Sequence, residues 1–283
     1  MNQRLPEWLK KNTGNSVRTE NLKKVLRKSS LNTVCEEARC PNIEECFSSG
    51  TATFMILGDI CTRGCRFCSV NTGKPLMRKE DFIKEAHSVL EAVKTLELKY
   101  VVITSVARDD LEDGGACGFV ENINLLKKEI PNIKVEVLIP DFRMNQDSIL
   151  SIARTEVDVI NHNLETVPRL YRKVRPGANY ENSLKLLKTI KDFNANIKTK
   201  TGIMLGLGEE KKEVLDLIRD CKEHKIDIFT AGQYMRPTLK HLEVEKYLEP
   251  SEFEDYSELA KKAGIEKVFI GPLVRSSYHA GRH

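Results

Sequence analysis

Cys61-Thr-Arg-Gly-Cys65-Arg-Phe-Cys68 is the stretch of sequence that decides the fold. Its three cysteines have the spacing C-x3-C-x2-C, and the stretch follows an apolar run at residues 53–57. Soft thiolates in a closely spaced run are typical ligands of iron–sulfur clusters. A cubane cluster has four irons, so three cysteines on one short loop leave one iron open to a small chelating ligand. The stretch therefore predicts a cluster loop, Cys61–Cys68, just after a strand.

A second cysteine triplet lies upstream, at Cys35, Cys40 and Cys46, with the spacing C-x4-C-x5-C. Disulfides are disfavoured, because no secretory signal is visible at residues 1–10 and we expect a reducing, cytoplasmic location. Structural zinc takes four Cys or His ligands, whereas each triplet supplies three, and a catalytic zinc would rarely use three thiolates. Iron–sulfur clusters therefore fit both triplets best. The other two cysteines are expected to be small buried hydrophobes, Cys117 and Cys221.

Composition limits the class of protein. The 283 residues are 40% hydrophobic and 30% charged, which is typical of a globular chain with one barrel-sized domain or two smaller ones. The formal net charge is only +4, far from the excess of a dedicated nucleic-acid binder. No segment approaches the ~20 apolar residues that cross a bilayer. We expect neither nucleic acid nor membrane as a partner.

Strand-like and helix-like patterns alternate from residue 51 onward. Apolar, β-branched runs predict seven strands, at residues 54–57, 100–104, 133–139, 157–160, 199–205, 226–229 and 267–270. Helical spacing predicts helices around residues 82–93, 184–190 and 214–221, and Ser251 with Glu254 predicts a capping box for a helix that Gly264 ends. Such alternation indicates βαβ units and a parallel sheet, either doubly wound or barrel-like.

The cluster loop resembles the signature of the radical S-adenosylmethionine superfamily. This resemblance favours an α/β fold, a partial (β/α)6 TIM-like barrel with N- and C-terminal extensions, in which chemistry gathers at the carboxyl ends of the strands. It implies that the open iron chelates the amino and carboxylate groups of S-adenosylmethionine and that Phe67 packs near the adenine. We expect an N-terminal extension at 1–50 that carries Cys35, Cys40 and Cys46, the barrel at 51–265, and a C-terminal strand and tail at 266–283.

Two further motifs resemble lipoyl synthases in particular. The upstream triplet is similar to the auxiliary-cluster motif of that family, and Arg275-Ser-Ser-Tyr278 is similar to its closing motif. The resemblance implies that one serine is the fourth ligand of the auxiliary cluster. The family pattern points to Ser277, although the sequence alone does not separate it from Ser276. Residues 161–166 resemble both lipoyl and biotin synthases, which suggests contacts to the adenosine ribose by Asn163 and Glu165.

The resemblance runs from about residue 8 to residue 280 and implies a function. It implies two 4Fe-4S clusters and S-adenosylmethionine as cofactors, and insertion of sulfur at C6 and C8 of an octanoyl group on a lysine of a lipoyl carrier domain. The expected partners are E2 subunits of 2-oxoacid dehydrogenases, the glycine cleavage H protein, and an electron donor such as ferredoxin or flavodoxin. The alternatives are another radical sulfur-insertion enzyme (a methylthiotransferase or one like biotin synthase), a two-cluster electron carrier, and a structural zinc protein.

Three further features of the sequence do not point to a single functional role. The glycine-rich residues 202–208 match neither a P-loop nor a Rossmann fingerprint, and they either approach a ligand or pack plainly. His162 is expected to be buried and hydrogen-bonded rather than a ligand. Basic residues of the N-terminal extension form either a solvated helix face or a docking surface for an acidic partner: Lys10, Lys11, Arg18, Lys23, Lys24, Arg27 and Lys28.

Overall fold

The computed structural model describes residues 4–10, 32–33, 42–48, 50–278 and 280–282. Two sheets are present in these ranges, one of eight strands and one of two. The strands are β1 (Asn32–Thr33), β2 (Thr51–Ile56), β3 (Ile60–Cys61), β4 (Asn71–Thr72), β5 (Tyr100–Ser105), β6 (Lys134–Leu138), β7 (Val159–Asn161), β8 (Lys198–Leu205), β9 (Ile228–Gln233) and β10 (Lys267–Ile270). The helices are α1 (Ile43–Ser48), α2 (Phe82–Thr95), α3 (Ala116–Glu129), α4 (Gln146–Ala153), α5 (Tyr171–Val174), α6 (Tyr180–Phe193), α7 (Lys211–Glu223) and α8 (Pro250–Lys262).

The order of strands in the large sheet decides between the two α/β architectures. It is β1-β2-β5-β6-β7-β8-β9-β10, with every pair parallel except β1 with β2. Neighbours in space are thus neighbours in the chain, and a doubly wound sheet would instead reverse its order at a switch point. Since β1 and β10 do not pair in the described ranges, no closed barrel forms. The prediction of an open, barrel-type α/β fold is confirmed.

The two faces of the sheet differ in chemistry because successive side chains of a strand point to opposite sides. One face is apolar and belongs to the same core as the buried sides of the helices, as Phe54, Ile103 and Val137 show in matching register. The opposite face, which we call the lumen face, is buried and carries polar side chains among apolar ones such as Met55 and Val102. Its side chains include Thr53, Thr104, Glu136, Asn161, Lys200 and Thr230. A polar interior suits a chamber for chemistry rather than a packed core.

An ion pair lies fully buried in the lumen face. Lys200 Nζ lies 2.8 Å from Glu136 Oε1, and neither side chain is exposed to solvent. Tyr100 donates its hydroxyl hydrogen to Glu136 Oε2 at 2.8 Å, and the Asn161 amide donates to Oε1 at 3.3 Å. Burial lowers the pKa of Lys200, while Glu136 acts to raise it. Removing one partner would leave an uncompensated buried charge.

The ends of α8 show where sequence patterns succeed and fail. The predicted capping box of Ser251 and Glu254 is wrong, because the helix begins two residues earlier than that pair requires. The N-cap is Glu249, whose N–H donates to Glu252 Oε2 at 3.0 Å. An acidic N-cap also satisfies the helix dipole, so serine was not needed. Gly264, with φ of +85°, lies just past the helix end, as predicted.

The N-terminal extension is described only in part. Lys10 pairs with Glu7, and the rest of the predicted basic surface lies outside the described residues. Trp8 Nε1 donates to the Leu248 carbonyl at 3.2 Å, so residues 4–10 contact the loop before α8. In the described ranges, no helix is both long and apolar enough to cross a membrane.

Candidate active site

The cluster loop is closed at its base by a short strand pair. Cys61 ends β3, which pairs with β4, and Gly73 N–H donates to the Cys61 carbonyl at 3.0 Å. Within the loop, Cys68 N–H donates to the Cys65 carbonyl at 3.1 Å. The Cys61 sulfur lies within hydrogen-bonding distance of the N–H of Arg63, at 3.4 Å, and of Ala107, at 3.3 Å. The predicted thiols are therefore brought together on one loop beside the end of β5.

The thiols fit an iron–sulfur cluster better than a single metal ion. Burial raises the pKa of Cys68 to about 11, and burial also raises the pKa of Cys65 against the charge of Arg175. Such thiols become anionic ligands when a metal replaces their protons. In the described part of the chain, no three His, Cys, Asp or Glu side chains are grouped to hold one metal ion. A cubane would bond each thiolate to a different iron, so it does not need all three thiols around one ion.

Arg63 fastens the cluster loop to the ends of two strands. Its guanidinium makes two bonds of 2.7 Å to the Asp109 carboxylate, after β5, and one of 2.6 Å to Asp141, after β6. Although burial lowers the pKa of Arg63, the hydrogen bonds to both acids outweigh it and raise that pKa. Bidentate pairs of this kind fix geometry as well as charge. We call this group the Arg63 clamp; the sequence reasoning missed it, although both acids closely follow strands.

The residues expected to contact adenosine lie just after β7. Glu165 has a left-handed backbone, with φ of 67°, and its N–H donates to the Gly202 carbonyl at 2.9 Å. The Asn163 side-chain oxygen is buried and has no hydrogen-bond partner among the described residues. A Cβ on Gly202 would lie 3.1 Å from that oxygen and 2.4 Å from Thr230 Oγ1. Glycine at 202 therefore leaves room for the Asn163 amide to face the lumen.

Arg175 is a buried cation close to the cluster loop that the sequence reasoning did not single out. Its Nη1 donates to the Asn163 carbonyl at 2.6 Å, and its guanidinium lies 5.5 Å from the centre of the Tyr171 ring. Its Nε has no hydrogen-bond partner in the part of the chain that the structure describes. Burial raises the pKa of Glu165, and the charge of Arg175 opposes this rise. Arg175 thus acts electrostatically on both Glu165 and Cys65. The only sequence signal was an arginine directly before Pro-Gly.

The other lumen residues have ordinary roles. His162 is buried, with Nδ1 at 2.8 Å from the Ile139 carbonyl and Nε2 at 3.0 Å from Ser183 Oγ, as predicted. Gly206 has φ of 98°, and a Cβ there would lie 2.3 Å from both Gln233 Nε2 and the Lys246 carbonyl. Gly206 therefore allows close packing of the backbone, and Gly202 leaves room for the Asn163 side chain. Phe67 is half-buried and packs against the core.

A second pocket joins the two ends of the chain. Cys46 on α1 and Ser277 in the tail both line it, together with Thr51 and Thr53 of β2, and Ser276 is not among its lining residues. Its remaining lining residues are Asn42, Ile43, Arg275 and Tyr278. Cys35 and Cys40, the other two residues of the upstream triplet, lie outside the described residues.

Two hydrogen bonds hold the tail beside α1, and close packing sets it against β9. Asn42 donates its amide N–H to the Leu273 carbonyl at 2.6 Å, and the Tyr278 hydroxyl donates to Glu45 at 2.9 Å. At Gly232 of β9, a Cβ would lie 1.9 Å from the Val274 carbonyl oxygen. The tail therefore crosses the lumen face so closely that only glycine fits beneath it.

Comparisons with known proteins identify the family of the chain. The family model described as "Radical SAM superfamily" matches residues 55–221, and the one described as "N-terminal domain of lipoyl synthase of Radical_SAM family" matches residues 1–40. A lipoyl synthase of Pseudoalteromonas atlantica is 50% identical over 282 residues, covering 99% of this chain and 87% of the relative. A lipoyl synthase of Methylobacillus flagellatus is 50% identical over 278 residues, covering 98% and 85%.

Solved structures share the fold at low sequence identity. Streptococcus suis SuiB bound to its precursor peptide SuiA superposes with a TM-score of 0.61 at 15% identity, covering 93% of this chain and 56% of SuiB. Methylornithine synthase superposes with a TM-score of 0.53 at 15% identity, covering 90% of this chain and 83% of the synthase. At these identities the likeness concerns the fold alone.

Proposed function

Because the chain belongs to the lipoyl synthase family of radical S-adenosylmethionine enzymes, we propose that Cys61, Cys65 and Cys68 hold the cluster that activates S-adenosylmethionine. The enzyme is a sulfur-inserting transferase. The single observation that supports the cluster assignment best is the position of all three thiols on one clamped loop. Family membership also displaces the methylthiotransferase, electron-carrier and zinc alternatives. We place the enzyme in the cytoplasm, since its free thiols suit a reducing compartment.

The residues around the loop would hold the cosubstrate in one orientation. When bound, the cluster and S-adenosylmethionine supply a carbon radical able to remove hydrogen from an unactivated carbon. Arg175 would pair its unpartnered Nε with the methionyl carboxylate, because a buried guanidinium gains most from an anion. The side-chain oxygens of Asn163 and Glu165 would accept hydrogen bonds from the ribose hydroxyls. Phe67 would pack beside the adenine. The Arg63 clamp would keep the loop still during turnover.

The second pocket would complete the sulfur-donating site. We propose Cys35, Cys40, Cys46 and Ser277 as ligands of an auxiliary 4Fe-4S cluster. Support comes from the lining of one pocket by Cys46 and Ser277, which favours Ser277 over Ser276. A hard oxygen ligand is a poor match for a cluster otherwise held by soft thiolates. Ser277 would therefore release its iron most readily when the cluster gives up sulfur.

The substrate would be an octanoyl chain on a lysine of a lipoyl carrier domain, either an E2 subunit or the glycine cleavage H protein. Sulfur would enter at C6 and C8 while the chain lies between the two sites. The buried lumen would exclude water from the reacting carbons. Electrons would come from a ferredoxin or flavodoxin.

The test is an anaerobic reaction of the protein reconstituted with iron and sulfide. We would add dithionite, S-adenosylmethionine and an octanoyl-lysyl peptide, and follow the peptide by mass spectrometry. The expected result is 5′-deoxyadenosine together with a peptide that has gained two sulfurs. Deoxyadenosine without sulfur on the peptide would refute the substrate assignment, and no deoxyadenosine would refute the cluster assignment.

A further inference from the structure

The segment that carries the cluster loop leaves the large sheet at Leu57, directly after β2, and comes back at Met77. Its two ends lie side by side, since a Cβ on Gly58 would lie 3.5 Å from Met77 Cβ. We call this meeting point, formed by Leu57, Gly58 and Met77, the neck. Residues 58–76 between its two ends include β3, the three cysteines and β4. Whatever fixes the neck therefore fixes the base of the cluster loop.

Arg108 joins the two ends of the neck with one side chain. Its Nη1 donates to the Leu57 carbonyl at 3.3 Å, and its Nη2 donates to the Met77 carbonyl at 2.9 Å. The Asp110 carboxylate accepts two further bonds of 2.9 Å, which neutralise and orient the guanidinium. Arg108 is only 2% exposed. A lysine has no planar fork and could not keep this set of bonds.

Leu57 is held at the neck in a strained backbone conformation. Its φ is 68°, a left-handed value that is costly for a residue with a Cβ and persists only where the surroundings impose it. Besides the bond from Arg108, Glu85 Oε2 accepts the Leu57 N–H at 2.8 Å. The Leu57 side chain lies against α3, where Cβ atoms on Gly115 and Gly118 would each lie 2.5 Å from one of its methyl groups. The direction in which the chain leaves the sheet is therefore fixed.

The backbone on either side of Arg108 holds the first cysteine of the loop. The Ala107 N–H lies 3.3 Å from the Cys61 sulfur, and the Ala107 carbonyl accepts the N–H of Thr62 at 3.0 Å. On the other side, the Asp109 N–H donates to Thr62 Oγ1 at 3.1 Å. Arg108 is thus joined to the neck by its side chain and to Cys61 through its backbone neighbours. Hydrogen bonds to the sulfurs of a cluster alter its electronic properties.

We propose that Arg108 is a positioning residue for the radical chemistry, because it couples the Cys61 sulfur to the neck. This inference rests on the proposed function, since it presupposes a cluster on Cys61, Cys65 and Cys68. All three guanidinium nitrogens of Arg108 already bond to protein groups. Arg108 therefore acts by placing the loop, and its loss removes no group that would touch S-adenosylmethionine.

The test compares Arg108→Met and Arg108→Lys with a matched control, Lys127→Met. Lys127 is also a largely buried cation, and it donates to the Ile133 carbonyl at 2.9 Å and to the Asp158 carboxylate at 2.6 Å. These two partners precede β6 and β7, at the end of the sheet opposite the cluster loop. Each variant should lose some stability, so every measurement is made at a temperature at which circular dichroism shows it to be folded.

The first readout uses the reconstituted protein with dithionite. Added S-adenosylmethionine changes the EPR spectrum of the cluster that binds it, and 5′-deoxyadenosine formation gives kcat. We expect Arg108→Met to alter that spectral change and to lower kcat about tenfold or more, because misplacing a reacting group by about an ångström costs this much or more. Arg108→Lys should lose less, since it keeps the charge and some of the donors.

Lys127→Met should match the wild type in both the spectrum and kcat. Equal losses in Lys127→Met and Arg108→Met would show a merely structural role and overturn the proposal. A wild-type spectral change and kcat in Arg108→Met would also overturn it. If Arg108→Met does not fold, the same wild-type result in Arg108→Lys would do so.

The cluster-free protein separates the failure of this inference from the failure of the proposed function. Iodoacetamide alkylation of Cys61 is followed by mass spectrometry of its peptide. We expect Arg108→Met to raise the rate about tenfold over the wild type and Lys127→Met, because the loop opens more often. The fully buried Cys221 should stay unmodified in each. Equal rates at Cys61 would overturn the role of Arg108, whereas a wild type that does not cleave S-adenosylmethionine would refute the cluster assignment itself.

Discussion

Replacing Gly232 with alanine should displace the tail and so remove the tail residues from the lining of the second pocket. The added Cβ would lie 1.9 Å from the Val274 carbonyl oxygen and 2.9 Å from its carbonyl carbon. Both are backbone atoms, so no side-chain rotation relieves the overlap, and the tail must move. A shift of this size would strain the bonds of Leu273 to Asn42 and of Tyr278 to Glu45.

The loss of stability in Gly232→Ala can be worked out from these contacts. Overpacking of a tight site costs about 1–3 kcal/mol. Each of the two tail hydrogen bonds contributes roughly 1 kcal/mol, so detaching the tail costs a similar amount. We therefore expect the free energy of unfolding of Gly232→Ala to fall by about 1–3 kcal/mol, which lowers Tm by about 2–4 °C per kcal/mol in a chain of this size class.

The test measures both the free energy of unfolding and the metal content of the variant. Urea unfolding gives the free energy, and iron and sulfide analysis after reconstitution gives cluster occupancy, which should fall to about half if only the auxiliary site is lost. Gly271→Ala is the matched control in the same connection, since its Cβ would meet only the Val274 side chain, at 3.3 Å. Full iron content and unchanged stability in Gly232→Ala would refute the reasoning.

Three further outcomes test other parts of the structure. Ser277→Ala should still form 5′-deoxyadenosine but lose complete lipoyl product, with Ser276→Ala as the control; normal product from Ser277→Ala would remove it from the ligand set. Lys200→Met should cost about 3–5 kcal/mol in urea unfolding, because it leaves Glu136 charged and buried, and a smaller loss would mean that solvent reaches the pair. Burial lowers the pKa of His162 to about 4, so the unfolded chain takes up a proton below pH 6.5 and the folded chain does not. The free energy of unfolding should therefore fall by up to about 3 kcal/mol between pH 6.5 and 4, and His162→Asn should flatten that part of the profile; an equal slope in both proteins would contradict it.

The sequence was most informative where the local pattern determines structure. The seven parallel strands of the large sheet fall on predicted apolar runs, because alternation and β-branching leave few other uses for such segments. The two-residue strands β1, β3 and β4 were not predicted. The three thiols of the cluster loop were found from their spacing alone. The helix start at Glu249 was misplaced, because several residue types can cap a helix and the pattern does not rank them.

Residues brought together over long sequence distances were harder to find. Arg63 could be read as part of a motif, yet its two carboxylate partners are set by where β5 and β6 end. Arg175 looked like one more basic residue in a polar stretch, because burial of its guanidinium is a property of the folded chain. The family resemblance paired Cys46 with Ser277, whereas composition and spacing alone would have left the serine in an ordinary tail.

The pocket shared by α1 and the tail has a consequence for the order of assembly. The two hydrogen bonds that hold the tail beside α1 span sequence separations of 231 and 233 residues. The hydrogen bonds of the Arg63 clamp span separations of only 46 and 78 residues. As a nascent chain leaves the ribosome from its amino end, the clamp can form when about half of the chain has emerged. The pocket forms only after residues 273–278 have emerged. A chain cut short before residue 273 would thus have the proposed site for S-adenosylmethionine and lack the proposed site for the auxiliary cluster.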